Sequence, residues 1–183
     1  TKDNLVSVMF GDGAIEEGCV LESLNLSSVF KLPIIFVLED NGLAIHTKKN
    51  VRSTVGDYCE IAKTFNIKTY KASFKNPEHL HNEFEKAYNF TRRERLPSFI
   101  TIECYRWIEH VGTNFDWSLG YRDKEELEDW KKYDIIESPN IISISSEFVR
   151  NKSLLYKEKF AKIFKDCMQY PEPENKDLLK NVY

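Results

Sequence analysis

Residues 11–18 read Gly-Asp-Gly-Ala-Ile-Glu-Glu-Gly, and residues 39–42 read Glu-Asp-Asn-Gly. Each stretch follows a short apolar run, residues 5–10 and 33–38 respectively. Asp12 offers a carboxylate. Asn41, 29 residues on, offers an amide oxygen, and the backbone after it a carbonyl. Hard divalent cations such as Mg2+ and Ca2+ take oxygen ligands, and Mg2+ commonly completes its octahedron with phosphate oxygens. Gly11 and Gly13 let a ligand come close to the backbone. Gly13 and Ala14 stand where a helix is expected to begin, and free N–H groups there attract anions. Gly-Asp-Gly alone is an ordinary turn composition. Paired with an asparagine turn at the mouth of a neighbouring strand, it predicts a magnesium diphosphate site.

The elements that must position these turns alternate in type. Residues 5–10 read as a strand buried on both faces, and 33–38 as a second buried strand. Between them, residues 14–30 read as a helix that packs Val20, Leu24 and the Val29-Phe30 end on the sheet. Gly42 permits the sharp turn after the second strand. Residues 57–65 read as a short helix and 68–72 as a strand. Asn76 caps a helix that starts at Pro77 and runs to about residue 95. Residues 98–107 form a strand of strong β propensity. Asp123 caps a helix to about residue 133, and 145–170 form a long helix with Phe148, Leu155, Phe160, Ile163 and Phe164 on its apolar side, stopped by Pro171. The expected fold is α/β, a mostly parallel sheet with flanking helices joined by crossovers. Ligands of such sheets bind outside the carboxyl ends of the strands, where both turns lie. Residues 1–140 are expected to form the diphosphate-binding domain, with 141–183 as a helix and tail packing on it.

Composition limits what else the chain can be. Its 183 residues are 42% hydrophobic and 13% aromatic, enough for a real core. A net charge of −3 gives no general attraction to nucleic acid or an anionic membrane. No apolar run approaches the roughly 20 residues that span a bilayer. Cys19, Cys59, Cys104 and Cys167 are scattered without a Cys-x-x-Cys pair, which predicts buried thiols in a reducing cytoplasm. A strand so near Thr1 predicts further chain before it and exposed apolar surface where that chain, a partner or a second copy belongs.

The stretches GDGAIEEG and LESLNLSSVFKLPIIFVLEDNGLAIHT resemble the thiamine diphosphate motif. They resemble most closely the alpha subunit of the first component of 2-oxo acid dehydrogenases of the pyruvate, branched-chain and acetoin types. PSFITIECYRWIEHVG, GYRDKEELEDWKKYDII and YPEPENKDLL are similar to later segments of the same family, so that the resemblance covers most of residues 5–180. It implies a thiamine diphosphate-binding fold and two cofactors, thiamine diphosphate and Mg2+. It implies that Asp12, Asn41 and the Leu43 carbonyl ligate magnesium, that Gly11, Gly13, Ala14 and Ile45 also line the cofactor site, and that His110 is the active-site histidine. The pyrimidine-activating glutamate is expected from a beta-type subunit or domain, further cofactor contacts from an amino-terminal half before Thr1, and a lipoyl acyltransferase as an onward partner. The expected compartment is cytoplasm, or an organelle matrix in a eukaryote.

The sequence departs from the family at several points. Asp40 replaces the first asparagine of the usual pair, Ile108 the first loop histidine, Val111 the serine that animal enzymes phosphorylate, and Ile135 a proline. The loop after His110 is longer and carries Phe115 and Trp117. Glu16 and Glu17 are expected on the first turn of a helix, where negative charge is favourable. His46 lies near the cofactor loop, whereas His79 and His81 are expected to be exposed. Arg106 and Arg122 are expected to order the loop through ion pairs with its acidic residues or to meet an anionic substrate. Two further readings share the scaffold: a carboligase of transketolase type, and a non-catalytic docking subunit.

Overall fold

The computed structural model describes residues 4–180, the side chains of 140 and 141 apart. The described chain divides between Asp134 and Ile135 into two compact units.

The first unit is built on four parallel strands: β1 (Val6–Gly11), β2 (Ile34–Asp40), β5 (Lys68–Ser73) and β6 (Ser98–Glu103), in the order β1-β2-β6-β5. Helices α1 (Gly18–Val29), α3 (Cys59–Thr64) and α4 (Pro77–Glu94) connect them, and a small ribbon of β3 (Leu43–Ala44) and β4 (Thr47–Lys48) leads into the single turn α2 (Lys49–Arg52). Alternate residues of β2 feed two cores. Phe36 and Leu38 join Ile15, Leu24, Tyr58, Ala62 and Phe99, while Ile35 and Val37 join Ala87, Ile100 and Ile102. That is the period-2 logic of a central strand buried on both faces.

Several expected bounds move. The strand at 98–107 ends at Glu103, and residues 104–116 form a loop. The helix expected from Ala14 starts at Gly18, after one 3-10 turn at Ala14–Glu16. Glu17 is its N-cap residue and Glu16 turns to other partners. The helix from Pro77 is as expected, with Asn76 Oδ1 accepting from the His79 N–H at 3.0 Å. A buried hydroxyl pair, Thr91–Ser98 at 2.7 Å, ties that helix to β6. Helix α5 (Lys124–Lys131) follows Asp123, whose side chain makes no cap bond; it buries Leu127 and Trp130, the latter stacked on Tyr105 with ring centroids 5.8 Å apart.

The first strand is corrected outright. β1 lies at the sheet edge, with Val6 54% and Met9 64% exposed. A continuous apolar run cannot by itself separate a central strand from an edge strand. At the end of α1, Val29 and Phe30 are likewise exposed, Phe30 at 66%, and do not pack on the sheet. The thiols are corrected too: Cys59 is buried and Cys104 half-buried, but Cys19 and Cys167 are exposed.

In the second unit, α6 (Ser146–Cys167) is capped by Ser145, whose Oγ accepts from the Phe148 N–H at 3.1 Å. No residue of this helix is buried, and its expected apolar side is exposed. An apolar cavity of about 340 Å3 in this unit is lined by Ile135, Ile142, Ile144, Phe148, Val149 and Tyr156. Among the described residues no helix is long and apolar enough to cross a membrane.

Candidate functional site

The register of the sheet fixes where the two turns stand. Gly11 pairs with Glu39 and Asp40 with Glu103, so three strands end level with one another. Asp12 follows the first of these ends and Asn41 the second. The turns also touch directly. A Cβ added to Gly13 would lie 2.7 Å from the Cβ of Ala44 and 3.3 Å from its Cα. Gly13 has an ordinary helical φ of −73°, so glycine is needed there for space and not for backbone freedom.

Asp12 is fully buried. Its Oδ2 forms an ion pair with Arg52 Nη2, while its Oδ1 is buried with no hydrogen-bond partner. Burial pushes the carboxyl above its ordinary value, against the pull of the Arg52 guanidinium. A buried carboxylate oxygen without a donor is costly, and it is the kind of atom that a hard cation satisfies. Asn41 Oδ1 accepts from the Leu43 N–H at 3.1 Å, which keeps the amide oxygen at the turn and leaves it a second lone pair. Asp40 faces elsewhere: Oδ1 accepts from the Gly42 N–H at 3.3 Å and Oδ2 pairs with Lys49 Nζ at 2.7 Å. Ile45 has a left-handed φ of +56°, strained for a β-branched residue.

The residues expected to hold a cation are thus one carboxylate, one amide and one backbone carbonyl. Among the described residues no group of three or more His, Cys, Asp or Glu side chains is assembled as an alternative. A cavity of about 290 Å3 is lined by Asn41, Gly42, Leu43, Lys48, Lys49, Asn50, Arg122 and Glu126. Asp12 is not among its lining residues.

His110 is exposed on the loop that follows β6, in a short excursion closed where Glu109 N–H donates to the Asn114 carbonyl at 2.9 Å. The base of this loop is fastened by a buried ion-pair cluster. Asp116 is fully buried; its Oδ2 takes Arg106 Nη2 at 3.0 Å and its Oδ1 takes Arg122 Nε at 2.6 Å. Arg106 also donates to the Tyr121 hydroxyl at 2.9 Å and to the Ile45 carbonyl at 2.8 Å, which ties the histidine loop to the loop after Asn41. His46 packs against Tyr121 with ring centroids 4.6 Å apart and the rings tilted by 39°. The expected ordering role of Arg106 and Arg122 is what the structure has. Its anchor, Asp116, has no periodic signal in the sequence; the one visible sign is an aspartate set between Phe115 and Trp117 in a loop.

Arg52 and Tyr58 join the Asp12 turn without any signal in the sequence. Besides its carboxylate contact, Arg52 Nη1 donates to the Asp12 carbonyl at 2.9 Å and to Glu16 Oε1 at 2.6 Å. The Tyr58 hydroxyl donates to Glu16 at 3.3 Å. No spacing rule links an arginine 40 residues away to Gly-Asp-Gly.

Residues 1–170 match the family model described as dehydrogenase E1 component. The chain is 24% identical to the pyruvate dehydrogenase E1 component subunit alpha of Rickettsia bellii, over 99% of this chain and 56% of that one. It is 27% identical to the alpha subunit of the acetoin:2,6-dichlorophenolindophenol oxidoreductase of Cupriavidus necator, over 94% and 53%. It is 25% identical to the mitochondrial pyruvate dehydrogenase E1 alpha subunit of Dictyostelium discoideum, over 98% and 48%. The chain therefore spans about half the length of these relatives. Among solved structures, a transketolase from Campylobacter jejuni gives a TM-score of 0.46 at 19% identity, over 55% of this chain and 15% of that one.

Proposed function

The chain belongs to the dehydrogenase E1 component family, and on that premise we propose that it is the diphosphate-binding portion of an alpha-type subunit of a thiamine diphosphate- and magnesium-dependent 2-oxo acid dehydrogenase. The family implies thiamine diphosphate as the cofactor. When bound, that group supplies the nucleophilic carbon and the electron sink for decarboxylation of a 2-oxo acid. The work of this chain is to bind and orient. Asp12, Asn41 and the Leu43 carbonyl hold magnesium, and Gly11, Gly13 and Ala14 admit the diphosphate to the backbone. Ile45, strained in a left-handed conformation at the same loop, shapes the cofactor side of the site, in keeping with the tendency of strain to collect at functional positions. His110 meets the substrate carboxylate or moves a proton at its imidazole. A beta-type subunit or domain supplies the activating glutamate, and a lipoyl acyltransferase takes the acyl group.

One observation carries the reading: a fully buried aspartate with an unpartnered carboxylate oxygen, at the mouth of a strand whose turn touches the asparagine turn of the next. The deciding experiment is calorimetric titration of the chain with thiamine diphosphate and Mg2+, with and without a candidate beta subunit, repeated for Asp12→Ala. Magnesium-dependent binding that vanishes in the variant is the expected result. No binding in any pairing favours a docking subunit that has kept only the scaffold, and binding that ignores Asp12 overturns the metal assignment. Relatives named for pyruvate and for acetoin match at similar identity, so carbon dioxide release from a panel of 2-oxo acids, with and without lipoamide, then assigns the donor and separates dehydrogenase from carboligase.

A further inference from the structure

The short turn α2 presents two cations to the ends of two adjacent strands. Lys49 holds Asp40, the last residue of β2, at 2.7 Å, and Arg52 holds Asp12, just after β1. Arg52 is the more deeply committed, with its side chain only 10% exposed. Its Nη2 pairs with the Asp12 carboxylate, its Nη1 with the Asp12 carbonyl and Glu16, and its Nε donates to the Thr47 carbonyl at 3.4 Å. One guanidinium therefore closes the Gly-Asp-Gly turn against the segment 47–52. It also gives Asp12 its only positive partner among the described residues, on one oxygen, and leaves the other oxygen bare.

We propose that Arg52 is the cation Asp12 holds before metal arrives, and that magnesium diphosphate displaces it and releases segment 47–56 from the turn. The inference rests on the reading of Asp12 as a magnesium ligand. Its physics is charge competition. A dication on Oδ1 and a guanidinium on Oδ2 would sit a few ångströms apart in a buried place where screening is weak. The magnesium would be held by Asn41 and the Leu43 carbonyl as well, whereas Arg52 would keep only its weaker set of contacts, to Glu16 and the Thr47 carbonyl. The tether that then slackens is short: α2 is a single turn, and Lys49 Nζ reaches on to the Gly56 carbonyl at 3.3 Å.

The test is equilibrium dialysis of Mn2+ at fixed inorganic pyrophosphate, for the unaltered chain, Arg52→Gln, Arg52→Lys, and Arg52→Gln combined with Asp12→Ala. Displacement predicts that Arg52→Gln binds Mn2+ at least about fivefold more tightly, that Arg52→Lys stays near the unaltered chain, and that removing Asp12 abolishes the gain. Unchanged or weaker binding in Arg52→Gln that still depends on Asp12 overturns the latch and leaves the metal site standing. Binding indifferent to Asp12, or none in any form, overturns the metal site and the latch with it. A second readout needs no variant. Amide hydrogen exchange across residues 47–56 of the unaltered chain rises when Mn2+ and pyrophosphate are added, and protection that stays the same or increases overturns the proposal.

Discussion

Gly13 and Ala44 are in such close contact that the smallest added side-chain atom would lie 2.7 Å from the alanine methyl. The Gly-Asp-Gly turn and the loop after Asn41 are therefore pressed together by packing. Gly13→Ala is expected to destabilise the chain by about 1–3 kcal/mol, the usual cost of overpacking. Ala44→Gly in the same chain should restore most of that loss, because it removes the atom that is struck. Urea unfolding of the single and double variants measures the coupling. Strict additivity would disprove the contact.

Asp116 carries the two arginines that seat the histidine loop. Asp116→Ala leaves both guanidinium groups without their carboxylate in a buried place, and the expected loss is about 3–5 kcal/mol. Proteolysis should then cut within residues 104–122 before the rest of the fold, and His110 should lose its defined position. Asp116→Asn, which keeps the shape and not the charge, should be nearly as damaging.

Asp57 gives the fold a predictable response to acid. Burial alone would raise its carboxyl, but the bonds from Lys71 and from the Cys59 N–H outweigh burial and hold it below the ordinary value. A carboxyl depressed in the folded state adds stability that is present above its unfolded value of about 3.9 and is lost as pH falls through the folded value. The unaltered chain should therefore be more stable than Asp57→Asn at neutral pH, and the gap should close as pH drops below about 4. Thermal melts of the two proteins from pH 7 to pH 3 check the convergence.

The four thiols should divide cleanly by reactivity. Burial pushes the Cys104 thiol up to about 12, with Glu39 and Asp40 adding to the effect, and Cys59 is raised by burial as well. Because the thiolate is the nucleophile, iodoacetamide at pH 8 should label Cys19 and Cys167 in the folded chain. Cys59 and Cys104 should be labelled only after denaturation, as read by peptide mass spectrometry.

What the sequence made legible is what local chemistry dictates. Pro77 with Asn76 before it declared a helix start, and the Asn76 side chain makes the cap bond. The apolar run at 33–38 declared a central strand, and β2 buries residues on both faces. The two oxygen-bearing turns declared neighbouring strand ends, and the register sets Gly11 beside Glu39. What stayed hidden depends on pairings across long separations. Residues 5–10 are as apolar as a central strand, yet β1 stands at the margin, because an apolar run records side-chain composition and not the strand's place in the sheet. The Arg52–Asp12 and Asp116–Arg122 pairs are set by how loops fold over one another, for which no periodic signal exists. The family resemblance could assign Asp12 a ligand, but it could not indicate which side chain would stand beside it here.

The margin strand has a practical consequence. Along Val6–Gly11, one side of the backbone ladder is spoken for by β2, and the other has no strand beside it among the described residues. The outward amides and carbonyls of such an edge, flanked by Val6, Val8 and Met9, form an adhesive seam that invites an extended polypeptide to zip on. Purified by itself, the chain should form particles whose size grows with concentration in light scattering, and a companion chain that covers the seam should keep it monodisperse.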